Sequence, residues 1–137
     1  MTEPRASGGC QCGAVRYIVA AAPLGLYVCY CRECQKQSAS AFGISVIVPA
    51  GAFRLTQGQV ATWRRPTASG RVLDCAFCVA CGSRICHVTP GEPTVSVKGG
   101  SLDQPPDLAG ATHIWTSRKL AGVVIPDGTA QFPGEPP

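Results

Sequence analysis

Short runs in which apolar residues occupy every second position or more recur along the chain, and they predict β-strands. The pattern is clearest at 14–19 and 44–48, which are rich in valine and isoleucine. Proline or glycine closes several runs, as Pro49 does after 44–48, which is typical of turns between strands. Further predicted strands lie at 26–30, 53–56, 60–63, 71–77, 83–88, 94–97 and 113–116.

Helical periodicity is nearly absent, and only one turn of helix is predicted, at 35–39. Between about seven and ten short strands with little helix predict an all-β domain of short antiparallel sheets. The 137 residues are enough for one domain. We expect a flexible N-terminus at 1–8, a folded domain at 9–125 and a Pro/Gly-rich C-terminal tail at 126–137.

Composition narrows the class of protein. The net charge of +4 is small and scattered, which argues against a nucleic-acid partner, and no apolar stretch predicts a membrane span. Nine cysteines are the most informative count, since they favour either a disulfide-rich secreted domain or a metal–thiolate domain. The odd number and the absence of an apolar signal segment favour a cytoplasmic, zinc-binding protein.

Two cysteine motifs have the spacing of a closed zinc site. Cys10-Gln11-Cys12 lies in an extended segment, where alternate side chains share one face, and Cys78-Val79-Ala80-Cys81-Gly82 is a Cys-x-x-Cys turn followed by glycine. Together they predict a four-thiolate structural site, whose loss should unfold so small a domain. Cys75 has the same spacing to Cys78 and remains an alternative ligand, although the glycine favours Cys78 and Cys81.

The middle motif offers three thiols, those of Cys29, Cys31 and Cys34. Three protein ligands with one free position are typical of a catalytic zinc, and soft thiolate ligation favours a fourth sulfur ligand over hydrolysis. Two alternatives remain open: Cys75 or Cys86 completes a second closed site, or Cys29 and Cys34 form a disulfide on oxidation. For Cys75, Cys86, His87 and His113, the sequence favours a structural role in the protein interior over a role as metal ligand.

These motifs together resemble the glutathione-dependent formaldehyde-activating enzyme family, also called the centromere protein V family. Three ordered cysteine motifs at these separations are a specific signal, and the resemblance covers nearly the whole chain. The segments that carry it are Gly9 to Tyr17, Cys29 to Cys34, Ser40 to Gly43, Phe77 to Ser83, Gly100 to Asp103, His113 to Trp115, Ile125 to Asp127 and Phe132-Pro133.

The resemblance implies a β-tent fold of small sheets with two Zn²⁺ ions in the segment 9–125. It implies a structural zinc at Cys10, Cys12, Cys78 and Cys81, and a catalytic zinc at Cys29, Cys31 and Cys34. The implied activity is that of a carbon–sulfur lyase on thiol–aldehyde adducts such as S-hydroxymethylglutathione, which forms from glutathione and formaldehyde. Many members of the family have a histidine at the position of Tyr30. The Tyr30 hydroxyl is a candidate to donate a proton to an alkoxide, and the alternative is that the side chain only packs against its neighbours.

Our first hypothesis is therefore an enzyme that binds a small thiol, glutathione or a similar one, through its thiolate at the three-cysteine site. Arg32, Lys36 and Arg71 are candidates to bind a carboxylate of that thiol, or else are solvated basic residues. The alternatives are a zinc-stabilised binding or scaffold module and a thiol redox or metal sensor without turnover. We expect no nucleic-acid or membrane partner, and a homodimer is compatible with the sequence.

Overall fold

Strands account for most of the regular structure in residues 4–137, which this computed structural model describes. The seven-residue helix α1 spans Arg32–Ser38. In chain order the strands are β1 (Ala6–Gly9), β2 (Arg16–Val19), β3 (Gly25–Cys29), β4 (Gly43–Pro49), β5 (Phe53–Gln57), β6 (Val60–Pro66), β7 (Val72–Cys78), β8 (Arg84–Val88), β9 (Thr94–Lys98) and β10 (Thr112–Ile114). The prediction of a small all-β domain with little helix is confirmed.

The strands form two sheets. A three-stranded sheet has the order β1-β2-β5, and a seven-stranded sheet has the order β10-β3-β4-β9-β8-β7-β6. The pairs are antiparallel as predicted, apart from the parallel pair of β10 with β3. Within residues 4–137, no helix has both the length and the apolar character that crossing a bilayer demands.

One face of the large sheet carries the core. Val46 pairs with Val97, Val97 with Cys86, and Cys86 with Ala76, so four buried side chains form a row across four strands. The small sheet packs on this face through Tyr17 and its neighbours on β2. Burial of each such valine contributes roughly 1.5–3 kcal/mol, so the contact between the sheets is the main apolar stabilisation.

The opposite face of the large sheet is polar, although much of it is shielded from solvent. Ser45 on β4 pairs with Lys98 on β9, and Ser96 on β9 pairs with His87 on β8. Lys98 and His87 are buried, at 8% and 6% exposed. Since alternate residues of a strand point to opposite faces, the valines of these strands face the core and the polar residues face a cavity.

The N-terminal segment 1–8, expected to be flexible, is in part a strand, because residues 6–8 lie in β1 and only 1–3 fall outside the described residues. Gly8 permits this pairing, since a Cβ there would lie 2.4 Å from the Tyr17 hydroxyl. The Ser7 hydroxyl and the Arg16 guanidinium also donate to Asp103, which ties the small sheet to the loop after β9. A strand this rich in glycine has no hydrophobic alternation that would predict it.

The C-terminal segment 126–137 runs along β10. The Phe132 amide donates to the His113 carbonyl at 2.9 Å, and the His113 amide donates to the Ala130 carbonyl at 2.9 Å. Further along, Glu135 accepts a hydrogen bond from the Trp115 indole at 2.9 Å. Through these contacts the end of the chain reaches the rim of the cavity on the polar face, which Glu135 and Pro136 help to line.

Candidate metal centres

Four cysteine sulfurs from opposite halves of the chain meet beside the small sheet. The Sγ atoms of Cys10, Cys12, Cys78 and Cys81 all lie within 4.8 Å of one another. The Cys10–Cys12 and Cys12–Cys78 sulfur distances are 3.5 and 3.8 Å. A tetrahedron with Zn–S bonds of about 2.3 Å separates its sulfurs by roughly 3.8 Å, so the donor set fits a four-coordinate zinc ion. We call this group the four-cysteine site.

Backbone geometry prepares these four thiols for a metal. Gly82, at φ +80°, turns the chain after Cys81 and donates its amide to the Cys78 carbonyl at 2.8 Å. The Val15 amide points at the Cys10 sulfur at 3.2 Å. Hydrogen bonds from the Ser83 side chain and amide lower the pKa of Cys81 to about 5, which favours its thiolate form. The glycine that singled out the Cys-x-x-Cys turn in the sequence therefore does form that turn.

A second group of three sulfurs lies at the start of α1. The Sγ atoms of Cys29, Cys31 and Cys34 are within 4.8 Å of one another, and Cys29 is buried while the other two are half-buried. Cys29 ends β3 and Cys34 lies in the first turn of the helix. Cys31 is the N-cap, and its sulfur accepts the Cys34 amide at 3.3 Å. We call this group the three-cysteine site.

The helix is longer than the single turn predicted at 35–39, because it begins at Arg32 directly after this cap. Gly43, at the start of β4, lets the next strand pass close to it, since a Cβ at that position would lie 3.1 Å from Cys34 Cβ. The motif Cys-x-Cys-x-x-Cys is thus the end of a strand, a cap and a first helical turn. Its three sulfurs converge because the chain changes direction there.

Electrostatics explains why the three-cysteine site suits a cation. The thiols hydrogen-bond to one another, and bonds from Cys29 and then Cys34 lower the pKa of Cys31 to about 2. The same contacts with Cys31 and Cys34, together with burial, strongly raise the pKa of Cys29. One thiolate is therefore stabilised at the expense of its neighbours, and a soft cation such as Zn²⁺ among the three sulfurs would favour the ionised form of all of them.

Cys75 and Cys86 belong to neither sulfur group within the described part of the chain. Cys86 is on the core face of the large sheet opposite Ala76, and Cys75 is fully buried on β7 opposite His87. The arrangement favours three sulfur donors at the middle motif over a second closed site. It also places Cys78, and not Cys75, with Cys10, Cys12 and Cys81.

A buried glutamine that the sequence analysis did not single out holds the three-cysteine site in place. Gln35 is 4% exposed, and its amide donates to the Tyr30 carbonyl at 2.7 Å and to the Arg118 carbonyl at 3.0 Å. These bonds fix α1 against the end of β3 and the segment after β10. Arg32 donates to the Gln35 side-chain oxygen, so its guanidinium supports this contact. No periodic signal marks such a residue in a sequence.

The three-cysteine site opens into a cavity of about 430 Å³ on the polar face of the large sheet. Arg71, one of the three predicted carboxylate ligands, lines it, whereas Arg32 and Lys36 are not among its lining residues. Other polar side chains, which the sequence did not assign to the site, also line the cavity. They include Ser45, Arg65, Ser96, Lys98 and His87.

His87 is neutral in this wall, and its burial gives the protein a predictable acid sensitivity. Burial, followed by the charges of Lys98, Arg84 and Arg65, lowers the pKa of His87 to about 2. The Arg84 guanidinium donates to His87 Nε2 at 2.8 Å, which suits the neutral ring. An unfolded histidine has a pKa near 6.5, so only the unfolded chain takes up the proton as the pH falls from 7 to 5.

We therefore expect this histidine to remove about 2 kcal/mol of unfolding free energy between pH 7 and pH 5. Above pH 7 its contribution is fully present, and it is lost as the pH falls. His87→Gln keeps an acceptor for Arg84 and removes the titrating group. In denaturant unfolding, this variant should therefore lose about 2 kcal/mol less unfolding free energy than the wild type between pH 7 and pH 5. Equal losses in the two proteins would contradict the prediction.

Tyr30 does not line the cavity, and its contacts are those of a packed residue. It is 2% exposed, its hydroxyl is 2.8 Å from His113 Nδ1, and its ring meets that of Phe42 edge-on. Tyr30→Phe would leave His113 Nδ1 without its partner, so we expect a loss of about 1–2 kcal/mol of stability. Thiol binding, measured by calorimetry, should not change. Weaker binding at unchanged stability would instead indicate a role in the reaction.

Comparison with known proteins agrees with this architecture. A family model described as "Glutathione-dependent formaldehyde-activating enzyme" matches residues 5–118. Among solved structures, the chain is similar to a Rhodobacter sphaeroides protein at 22% sequence identity. That match covers 78% of this chain and 98% of the other chain with a TM-score of 0.60, and at this identity it supports the fold alone.

Proposed function

Because the chain belongs to the glutathione-dependent formaldehyde-activating enzyme family, we propose that it is a zinc-dependent carbon–sulfur lyase for thiol–aldehyde adducts. The substrate would resemble S-hydroxymethylglutathione, with glutathione or a similar small thiol as the partner. One observation carries the proposal: three sulfurs, those of Cys29, Cys31 and Cys34, converge at the wall of an open cavity. We assign the catalytic domain to 9–125 and the tail to 126–137.

The two sulfur groups would have different tasks. The four-cysteine site provides all four donors of a tetrahedral zinc and so has a structural role. The three-cysteine site would hold a second zinc ion with one free position. That ion would supply a place for the substrate sulfur and would lower the pKa of the bound thiol. Two Zn²⁺ ions per chain are therefore part of the proposal.

The reaction requires the protein mainly to position the adduct and to exclude bulk water from it. In the lyase direction the C–S bond of the adduct breaks and leaves its electron pair on sulfur, while the hydroxyl releases its proton to solvent and becomes the aldehyde carbonyl. The side chains of Ile47, Leu73 and Ile114 line the cavity and would keep bulk water from the aldehyde. Gln35 keeps α1 fixed, so that the cysteines hold the substrate sulfur at a constant place.

The proposal is tested by exchange spectroscopy on glutathione and formaldehyde, with and without protein whose metal content has been measured. We expect about two zinc ions per chain and exchange faster than the spontaneous reaction in buffer. A content of two zinc ions per chain, without faster exchange for any thiol, would contradict an enzymatic function and favour a binding module. One zinc ion, with reversible oxidation of Cys29, Cys31 and Cys34 by mild peroxide, would favour the redox sensor.

A further inference from the structure

The polar wall of the cavity contains a buried lysine that pairs with no carboxylate among the described residues, although the thiolates of Cys34 and Cys29 also act on its charge. Lys98 is 8% exposed, and its ammonium donates to the Ser45 hydroxyl at 3.1 Å. Among the ion pairs of residues 4–137, none involves Lys98 or Arg65. Burial of a charge without a close ion-pair partner costs several kcal/mol, so a ligand carboxylate beside Lys98 would be stabilising.

Two further polar atoms of the same wall lack partners. Arg65 Nε and Ser96 Oγ are buried and have no hydrogen-bond partner among the described residues. Strand register places both on the face that carries Lys98, because Ser96 is two residues before Lys98 on β9 and Arg65 pairs with Leu73, which also lines the cavity. Unpaired donors facing one cavity indicate a ligand with acceptor atoms.

The acidic residues at the cavity do not neutralise these groups. Glu92 pairs with Arg71 at 3.3 Å, and Glu135 accepts the Trp115 indole hydrogen bond. Arg71, the one of the three predicted cations that lines the cavity, is thus already paired and is mostly exposed. Lys98 and Arg65 are the cations of this wall that pair with no carboxylate in residues 4–137.

From this arrangement we propose that Lys98, Arg65 and Ser96 form a carboxylate-binding subsite beside the three-cysteine site. The inference rests on the proposed function and narrows it, since the thiols whose adducts are used would be those that carry a carboxylate at some distance from sulfur. The carboxylate accepts hydrogen bonds from the Lys98 ammonium, the Arg65 guanidinium and the Ser96 hydroxyl. In this proposal the three-cysteine site recognises the sulfur of the ligand, and Lys98, Arg65 and Ser96 recognise its carboxylate.

A thioether distinguishes binding at the carboxylate subsite from binding of the thiol at the three-cysteine site. S-methylglutathione keeps both carboxylates of glutathione but has no thiol that could ionise, so its affinity reports the subsite. By calorimetry on the zinc-loaded protein, Lys98→Met and Arg65→Met should each weaken binding between about 10- and 100-fold, and Ser96→Ala by about 2- to 10-fold. Glutathione diethyl ester, in which the carboxylates are masked, should bind all variants equally.

The matched control is Arg64→Met. Arg64 directly precedes Arg65 on β6, points to the other face of the sheet and has a side chain that is 73% exposed. This variant should bind S-methylglutathione with unchanged affinity. Lys98→Met should also keep or raise the melting temperature, because methionine replaces a buried charge with an apolar chain of similar length.

Other results of these measurements would contradict either the carboxylate subsite or the lyase activity. Unchanged affinity in Lys98→Met and Arg65→Met overturns the subsite, while glutathione turnover by the same protein would leave the proposed function intact. Loss of zinc from Lys98→Met with unchanged affinity in Arg65→Met and Ser96→Ala would also overturn it and make Lys98 a counter-charge for the cysteines. Binding of S-methylglutathione without any thiol turnover would keep the subsite and overturn the lyase.

Discussion

Replacing Cys78 by serine is expected to unfold the whole domain. The four-cysteine site joins the turn between β1 and β2 to the end of β7, so it connects the small sheet to the large one. Structural zinc contributes on the order of 10–16 kcal/mol in small zinc-binding domains, which equals or exceeds the roughly 5–15 kcal/mol of net stability of a typical domain. Chelation of the metal from the wild-type protein should have the same effect.

Circular dichroism and zinc analysis of the purified variant would measure this loss together. We expect less than one zinc ion per chain and no cooperative thermal transition in Cys78→Ser. Cys86→Ala is the matched control, because Cys86 is buried in the core but belongs to neither sulfur group. It should lose about 1 kcal/mol, as core substitutions commonly do, and keep its metal. A cooperative, zinc-free Cys78→Ser protein would contradict the structural role.

The two cysteine groupings could be predicted because ligand spacing is a local property. The structure brings together the predicted sets, although Cys10 and Cys12 lie in the turn between β1 and β2, where the Gly13 amide donates to the Cys10 carbonyl, and not in the predicted extended segment. This turn and the Cys78–Cys81 turn each bring two sulfurs close together, and the fold then joins the two turns. Most of the β-strands were likewise predictable from alternation, with β1 as an exception because its glycines leave no hydrophobic pattern. The choice of Cys78 over Cys75 depended on Gly82, whose positive φ the turn requires.

Lys98 and Ser96 could not have been assigned to the site from the sequence. The alternation of β9, with Val95 and Val97 between polar residues, predicts a polar face but does not tell whether solvent or a cavity lies against it. That outcome depends on β6 and on the C-terminal segment, which carry Arg65 and Glu135 to the same face. Arg32 and Lys36 illustrate the converse, since they are close to the cysteines in sequence but do not line the cavity.

Replacing Cys31 by serine should abolish turnover while leaving the fold intact. Serine is a favoured N-cap, so its hydroxyl can accept the Cys34 amide as the Cys31 sulfur does, and α1 should still begin at Arg32. The change removes one of three soft donors from the three-cysteine site. Loss of a residue that only orients a metal ligand costs about 10- to 100-fold, so loss of a ligand should cost at least about 100-fold.

Three measurements on this variant decide the role of the three-cysteine site: exchange of glutathione with formaldehyde, the zinc content and the melting temperature. We expect the exchange rate to fall to the spontaneous value and the zinc content to fall by about one ion, with stability within about 1 kcal/mol of the wild type. Cys86→Ala should keep the wild-type exchange rate. If Cys31→Ser unfolds as Cys78→Ser is expected to do, the middle motif is structural, and if it still accelerates exchange, its sulfurs do not hold the substrate.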